Sequence, residues 1–132
     1  MNMNTPLCLS IVEMGGYPNF DTLLTTAGFQ SQRVFNMRKA QSWLKKNKPS
    51  LVLAEFHFDP DLRDRMSTLE SLLASLQCYA PEAKVITFIE YDFRDRLSAV
   101  KTRYPNIFDA VDYPIDENKL NKVLEKLKQE VK

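Results

Sequence analysis

The sequence lacks the features that mark several large classes of proteins. It has no apolar stretch near the ~20 residues that a membrane helix needs. Its amino-terminal residues, MNMNTPLCLS, contain no basic leader before a long apolar core, so no secretory signal is indicated. The formal net charge of +1 gives no overall reason to expect nucleic acid or an anionic membrane as a partner. We therefore expect a cytoplasmic protein.

Cysteine and histidine are also scarce. The chain has two cysteines, Cys8 in a strand-like run and Cys78 late in a helix-like segment, and one histidine, His57. Two buried thiols in a reducing compartment are expected rather than a disulfide or a metal pair. His57 is expected to lie exposed in a loop, because no second histidine or nearby cysteine supports a transition-metal site.

The common enzyme and cofactor motifs are missing. The sequence contains no G-x-G-x-x-G, Walker loop, G-x-S-x-G elbow or C-x-x-C. We therefore expect a protein that is not an enzyme and binds no cofactor. One alternative stays open: the pair Gly15-Gly16 could cradle a phosphate, as in a flavodoxin-like cofactor-binding protein, although the same loop holds Tyr17 and Pro18 and few hydroxyls.

What is present is typical of one globular domain over residues 1–132. Of the 132 residues, 44% are hydrophobic and 27% are charged, which suits a chain that buries a full core. Strand-like apolar runs alternate with amphipathic helical segments five times. The runs lie at 7–12, 32–36, 51–54, 85–89 and 107–113.

This alternation predicts an α/β fold. Strands joined by helical crossovers form a parallel sheet with helices on both faces, and five such units favour the flavodoxin-like strand order 2-1-3-4-5. Asn19 or Asp21 is the predicted cap of the first helix, Gly28 its end, and Asp116 the predicted cap of the last helix.

Acids follow two of the predicted strands. Glu13 follows the first run and Glu55 ends the third, and these two strands are neighbours in the predicted order. Open α/β sheets bind their ligands at the carboxyl ends of the strands. The sequence therefore predicts an acidic site at that edge, with Asp59 in the loop after Glu55 contributing.

In this arrangement the chain resembles the receiver domains of bacterial two-component response regulators over essentially its full length. The segment Ile11-Val12-Glu13-Met14 stands where receivers carry acids after the first strand. The run Pro49-Ser50-Leu-Val-Leu-Ala-Glu55 matches the strand that ends in the phospho-accepting aspartate, with Glu55 at that position. Pro114 keeps the proline that follows the fifth strand.

The residues that carry receiver chemistry are changed. By this resemblance Glu55 replaces the acceptor aspartate, Ile89 the hydroxyl residue that ends the fourth strand, and Tyr113 the lysine. A glutamate extends its carboxylate by ~1.5 Å, and a misplacement of ~1 Å can cost on the order of a hundredfold in rate. Without the lysine, no full positive charge receives the acyl phosphate. The resemblance thus implies a degenerate receiver, or pseudo-receiver, that is not phosphorylated and acts by protein–protein interaction.

Alternatives remain open at this acidic site. Glu55 could substitute permanently for the charge of a phosphorylated residue, or it could be a solvated acid with no switching role. Asp59 could be a relocated phosphate acceptor in a working phosphorelay receiver, although Asp-Pro-Asp is more often turn chemistry. Weak Mg²⁺ binding at Glu13 and Glu55 is conceivable, but Mg²⁺ demands near-octahedral oxygens, so no metal is expected.

The resemblance also implies a surface for partners. Receivers often signal and dimerise through the face of the fourth helix, fifth strand and fifth helix, and arginine and tyrosine suit interface anchoring. The residues predicted to form that surface are Arg94, Arg96, Lys101, Arg103 and Tyr113. The expected partners are other signalling proteins, such as a histidine kinase or an output protein, and a homodimer is left open.

Overall fold

The computed structural model describes residues 5–13, 17–56, 68–90 and 94–130. Within these residues strands and helices alternate along the chain. They are β1 (Leu7–Ile11), α1 (Asp21–Thr26), β2 (Gln30–Val34), α2 (Met37–Leu44), β3 (Leu51–Glu55), α3 (Thr68–Tyr79), β4 (Lys84–Ile89), α4 (Arg94–Arg103), β5 (Ile107–Asp112) and α5 (Glu117–Glu130). The predictions for His57 and Asp59 fall outside the described residues.

The strands form one parallel sheet in the order β2-β1-β3-β4-β5, which confirms the predicted topology. The second strand lies two residues earlier than predicted, at Gln30–Val34. The cause is the start of α2: the side chain of Asn36 accepts a hydrogen bond from the backbone N–H of Lys39 at 2.8 Å. Asn36 is therefore a helix cap and not the end of a strand.

Helices cover both faces of the sheet. Side chains alternate across each strand, so β3 buries Val52 and Ala54 against α2, α3 and α4 and directs Leu51 and Leu53 toward α1 and α5. Every residue of β3 is buried, which explains why this strand is an unbroken apolar run in the sequence.

The predicted helix ends are partly confirmed. Asp116 caps α5 by accepting the N–H of Lys119 at 2.9 Å, and Gly28, with φ of 99°, follows the end of α1. The predicted cap of α1 is wrong. Asn19 accepts the N–H of Asp21 at 2.8 Å in a turn before the helix, and α1 has no side-chain cap.

The two cysteines differ in exposure. Cys8 is fully buried on β1, and this burial raises the pKa of its thiol to about 12. Cys78 is exposed, so the prediction of two buried thiols is wrong for that residue. The reason is helical periodicity: the buried residues of α3 include Leu69, Leu72 and Leu76, and position 78 falls on the opposite side of the helix.

A network of side-chain hydrogen bonds lies at the amino-terminal ends of the strands. Asn106, 5% exposed, donates from Nδ2 to the carbonyls of Pro81 at 3.0 Å and Ala83 at 2.9 Å. Its Oδ1 accepts a hydrogen bond from Gln77 of α3. One buried amide thus ties the α3–β4 connection to the start of β5.

Of the helices in the described ranges, none combines the length and the apolar character that crossing a bilayer would require.

Candidate functional site

The structure brings the two predicted glutamates together. Strands β1 and β3 are paired side by side, with Ser10 opposite Leu53, and their carboxyl ends therefore meet. The backbone N–H of Glu13 donates to Oε2 of Glu55 at 3.1 Å. The contact is between the main chain of one acid and the carboxylate of the other.

Glu55 is buried, with only 1% of its surface exposed. The same oxygen, Oε2, accepts a second hydrogen bond from the hydroxyl of Tyr17 at 2.5 Å. The interpretation of Glu55 as a solvated acid at the end of a strand is therefore wrong. A buried carboxyl group must be hydrogen-bonded, and Tyr17 and Glu13 both contribute.

The ring of Tyr17 is packed among other aromatic rings. Its centroid lies 4.8 Å from that of Phe88 in an edge-to-face arrangement, 6.1 Å from Phe20 and 6.4 Å from Tyr113. These separations lie in the range in which aromatic pairs attract one another. The packing holds the Tyr17 hydroxyl against Glu55.

Tyr17 is the site residue that the sequence analysis missed. It was assigned no role beyond membership of the loop after the first strand, yet it makes a side-chain contact with the residue at the acceptor position. The available signal was an aromatic residue a few positions after Glu13, near enough along the chain to reach the same strand ends.

Tyr113, at the position where the resemblance places a lysine, lies near the same carboxylate. Burial and the negative charges of Glu55 and Glu90 raise the pKa of Tyr113 above its usual range. Its hydroxyl is buried and has no hydrogen-bond partner within the described part of the chain. A neutral phenol therefore stands at this position.

Because these phenols stay protonated in the folded chain, we predict that the protein loses stability at alkaline pH. Burial, followed by the hydrogen bond to Glu55 and its charge, raises the pKa of Tyr17 above its usual range. An unfolded tyrosine releases its proton near pH 10. Above about that pH, deprotonation lowers the free energy of the unfolded chain, whereas the folded chain keeps the proton on Tyr17. The free energy of unfolding, measured in urea, should therefore fall as the pH rises through about 10 and beyond. This fall should be shallower in Tyr17→Phe.

The control for this measurement is Tyr79→Phe, which removes the hydroxyl of a tyrosine exposed on α3 and away from Glu55. The alkaline fall in stability should be steeper in Tyr79→Phe than in Tyr17→Phe. An equal slope in Tyr17→Phe and Tyr79→Phe would contradict the assignment to Tyr17.

Ile89 and Glu55 lie on opposite faces of the sheet. Ile89 is fully buried in the core cluster beneath α2, α3 and α4, whereas Glu55 lies on the face with Leu53 and Phe88. An apolar side chain packed in this way brings no hydroxyl to the site.

A metal site is not formed by the residues that the structure describes. Among them no group of three or more histidine, cysteine, aspartate or glutamate side chains is arranged to hold a metal ion. Glu13 and Glu55 are the described members of the predicted acidic set.

A small cavity lies beside the site, beneath α1. Its volume is about 170 Å³, and its walls include Ser10, Tyr17, Asp21, Arg33 and Phe88. Sites for cofactors and drug-sized ligands usually measure ~300–1,000 Å³. This cavity is too small for a flavin or a nucleotide.

The structure does not bring the four predicted cations of α4 onto one surface. Arg94 pairs with Asp112 of β5, with Nη2 2.6 Å from Oδ1, whereas Nη1 of Arg103 lies 3.5 Å from Oε2 of Glu70 on α3. Helical periodicity places Lys101 on the same side of α4 as Arg94, and Arg96 on the same side as Arg103. Arg94 and Lys101 therefore border β5, and the other two face α3.

The comparisons with known proteins add the fold class. No family model matches the sequence, and no curated protein is similar to it. Many solved structures are similar over nearly the whole chain, and most of the leading matches are receiver domains of response regulators. The chain thus has the CheY-like flavodoxin fold, with which its strand order and five helices agree.

Three solved structures illustrate the similarity. A CheY-like response regulator receiver domain protein from Methanospirillum hungatei is 14% identical, with a TM-score of 0.69 and coverage of 96% of both chains. A response regulator protein from Burkholderia multivorans is 17% identical, with a TM-score of 0.67 and coverage of 94% of this chain and 95% of that one. An adenylate cyclase from Rhodopirellula baltica is 12% identical, with a TM-score of 0.66 and coverage of 95% and 89%.

Proposed function

We propose that this protein is a receiver-like signalling module that acts through protein–protein contact, is not an enzyme and is not phosphorylated at Glu55. The observation that carries the proposal is the state of the Glu55 carboxylate. It is buried, and its Oε2 already accepts hydrogen bonds from the Tyr17 hydroxyl and the Glu13 backbone.

Phosphorylation of this carboxylate would require a large local rearrangement. Phosphoryl transfer depends on an acceptor oxygen that can approach phosphorus in line with the leaving group. The Tyr17 hydroxyl lies 2.5 Å from Oε2, and its ring packs edge-to-face on Phe88. Because Glu55 as a whole is only 1% exposed, a phosphoryl donor could reach either carboxylate oxygen only after this packing was lost.

The same contacts supply a route from Glu55 to a binding surface. Tyr17 contacts Glu55 and lies 6.4 Å from Tyr113, which follows β5 directly. Glu55 would thus fix one arrangement of the ends of β1 and β5 instead of switching between two. The proposed partner surface comprises Tyr113 with Arg94 and Lys101, the two α4 cations that border β5. Its partners would be other signalling proteins, a histidine kinase or an output protein among them.

Exposure to a phosphoryl donor tests the proposal. Incubation with acetyl phosphate and Mg²⁺ should leave the intact mass of the protein unchanged, because the Glu55 carboxylate is buried and already accepts hydrogen bonds from Tyr17 and Glu13. A receiver with an acceptor aspartate, treated in parallel, shows that the reagent is active.

Two outcomes would contradict the proposal in different ways. A phosphoryl adduct that disappears in Glu55→Gln would mean that Glu55 accepts phosphate in spite of its contacts. An adduct that persists in Glu55→Gln but disappears in Asp59→Ala would favour a working receiver with a relocated acceptor.

A further inference from the structure

Positive charge is segregated along the chain although the net charge is only +1. No aspartate or glutamate occurs from Thr22 to Ala54, while six of the 18 lysines and arginines lie there. Five of the six are exposed on α2 and the loop that follows it, and we call them the α2 basic surface. Its members are Arg38, Lys39, Lys45, Lys46 and Lys48.

The members of the α2 basic surface form no ion pair with any residue in the described ranges. The sixth cation, Arg33, has a partner, with its Nε 3.5 Å from Oδ2 of Asp21. Helix α2 buries Ala40 and Leu44 against the sheet, so the basic side chains project from its outer side. An uncompensated group of cations on one face attracts anions.

The placement of two of these charges, Arg38 and Lys39, does not stabilise the helix. Arg38 and Lys39 lie in the first turn of α2, which carries no acid. The amino-terminal end of a helix dipole is positive and favours acids, so cations there are unfavourable. Helix stability therefore does not account for the two cations at the start of α2, although Lys45 at the other end is favourable to the helix dipole.

An exposed aromatic residue adjoins this surface. Phe35, immediately before the cap of α2, is 61% exposed, and the guanidinium of Arg33 lies 5.8 Å from the centroid of its ring. Phenylalanine and arginine are both enriched at protein interfaces relative to the rest of the surface. A cation–π contact at an exposed site contributes about 0.5–1 kcal/mol, which favours this position of the Phe35 ring.

We propose that the α2 basic surface and Phe35 form a second docking site, which binds an acidic segment of a partner protein that also offers an apolar contact to Phe35. This site lies at the β2 edge of the sheet, apart from the surface next to β5 in the proposed function. Binding at this site does not depend on the chemistry of Glu55.

The surrounding charge favours a protein over a nucleic acid. All of the 17 acids lie outside the segment from Thr22 to Ala54, and one of them, Asp21, lies directly beside Arg33. Helix α2 has eight residues and is about 12 Å long, so the basic surface would contact only a short stretch of an extended nucleic acid, and Asp21 beside it would repel the phosphates. A protein can present a few carboxylates locally and avoid that repulsion.

Nuclear magnetic resonance titration of the ¹⁵N-labelled chain tests the site. The probe is a glutamate-rich peptide that contains leucines, and its glutamine counterpart is the uncharged control. Shift changes should concentrate in residues 33–48 and be lost at high salt. Binding should weaken about tenfold in Lys39→Glu/Lys46→Glu and about fivefold in Phe35→Ala.

The matched control is Lys122→Glu/Lys128→Glu on α5, which changes the net charge equally and should weaken binding less than about twofold. Equal weakening in both double variants, unchanged affinity in Phe35→Ala, or shift changes outside 33–48 would overturn the proposal. Tighter binding of an oligothymidylate of the same charge would assign the surface to nucleic acid instead. None of these variants alters Glu55 or Tyr17, so the acetyl phosphate result is independent of this one.

Discussion

Asn106→Ala should lower the free energy of unfolding by about 3 kcal/mol. The substitution removes a buried amide that donates to the carbonyls of Pro81 and Ala83 and accepts from Gln77. A buried polar group left without its partner costs about 1–3 kcal/mol, and more than one is left here. Urea denaturation at neutral pH measures the change.

The control is Asn121→Ala, which alters the same residue type at an exposed position on α5, where the amide donates to Glu125 at 3.4 Å. It should change the free energy of unfolding by no more than about 0.5 kcal/mol. A loss below about 1 kcal/mol in Asn106→Ala would mean that water replaces the network without cost.

Tyr17→Ala should also destabilise the protein, by about 3 kcal/mol, because it removes both the aromatic packing and the hydroxyl that donates to Glu55. Tyr17→Phe keeps the ring that contacts Phe20 and Phe88 and loses only the hydroxyl. Its expected loss is about 1.5–2 kcal/mol, since the acceptor is a buried carboxylate. Urea denaturation separates the two contributions.

A third variant gives this comparison a sharper test. In Tyr17→Phe/Glu55→Leu the buried carboxylate and its donor are both removed, and replacing both partners of a buried hydrogen bond by apolar groups can be nearly neutral. The double variant should therefore be more stable than Tyr17→Phe alone. If Tyr17→Phe is as stable as the unaltered protein, the 2.5 Å contact contributes nothing to the fold.

The fold could be predicted because its signals are periodic. The apolar run that became β3 is buried on both faces, and the buried residues of α4, Leu97 and Val100, are three positions apart, as one face of a helix requires. The meeting of Glu13 and Glu55 followed from strand order alone, since parallel neighbours end at the same edge of a sheet.

Tyr17 could not be placed in this way, because it lies in a loop and a loop has no period from which the direction of a side chain follows. The grouping of the α4 cations failed for another reason. The prediction placed the four cations on one surface because they share a helix. The spacing of Arg94 and Arg103, however, already puts them on opposite sides of that helix, half a turn apart. The net charge of the whole chain gives no indication that positive charge is concentrated on α2.

The two ion pairs of α4 determine how easily a partner protein can rearrange the charged side chains of this helix. Arg94 attaches one flank to β5 and Arg103 the other flank to α3, through partly exposed contacts of 2.6 and 3.5 Å. Exposed pairs of this kind contribute about 0–1 kcal/mol each. A partner that offers its own carboxylates to Arg94 and Arg103 could therefore displace both pairs at a cost of at most about 2 kcal/mol, while the buried Leu97 and Val100 hold the helix on the sheet.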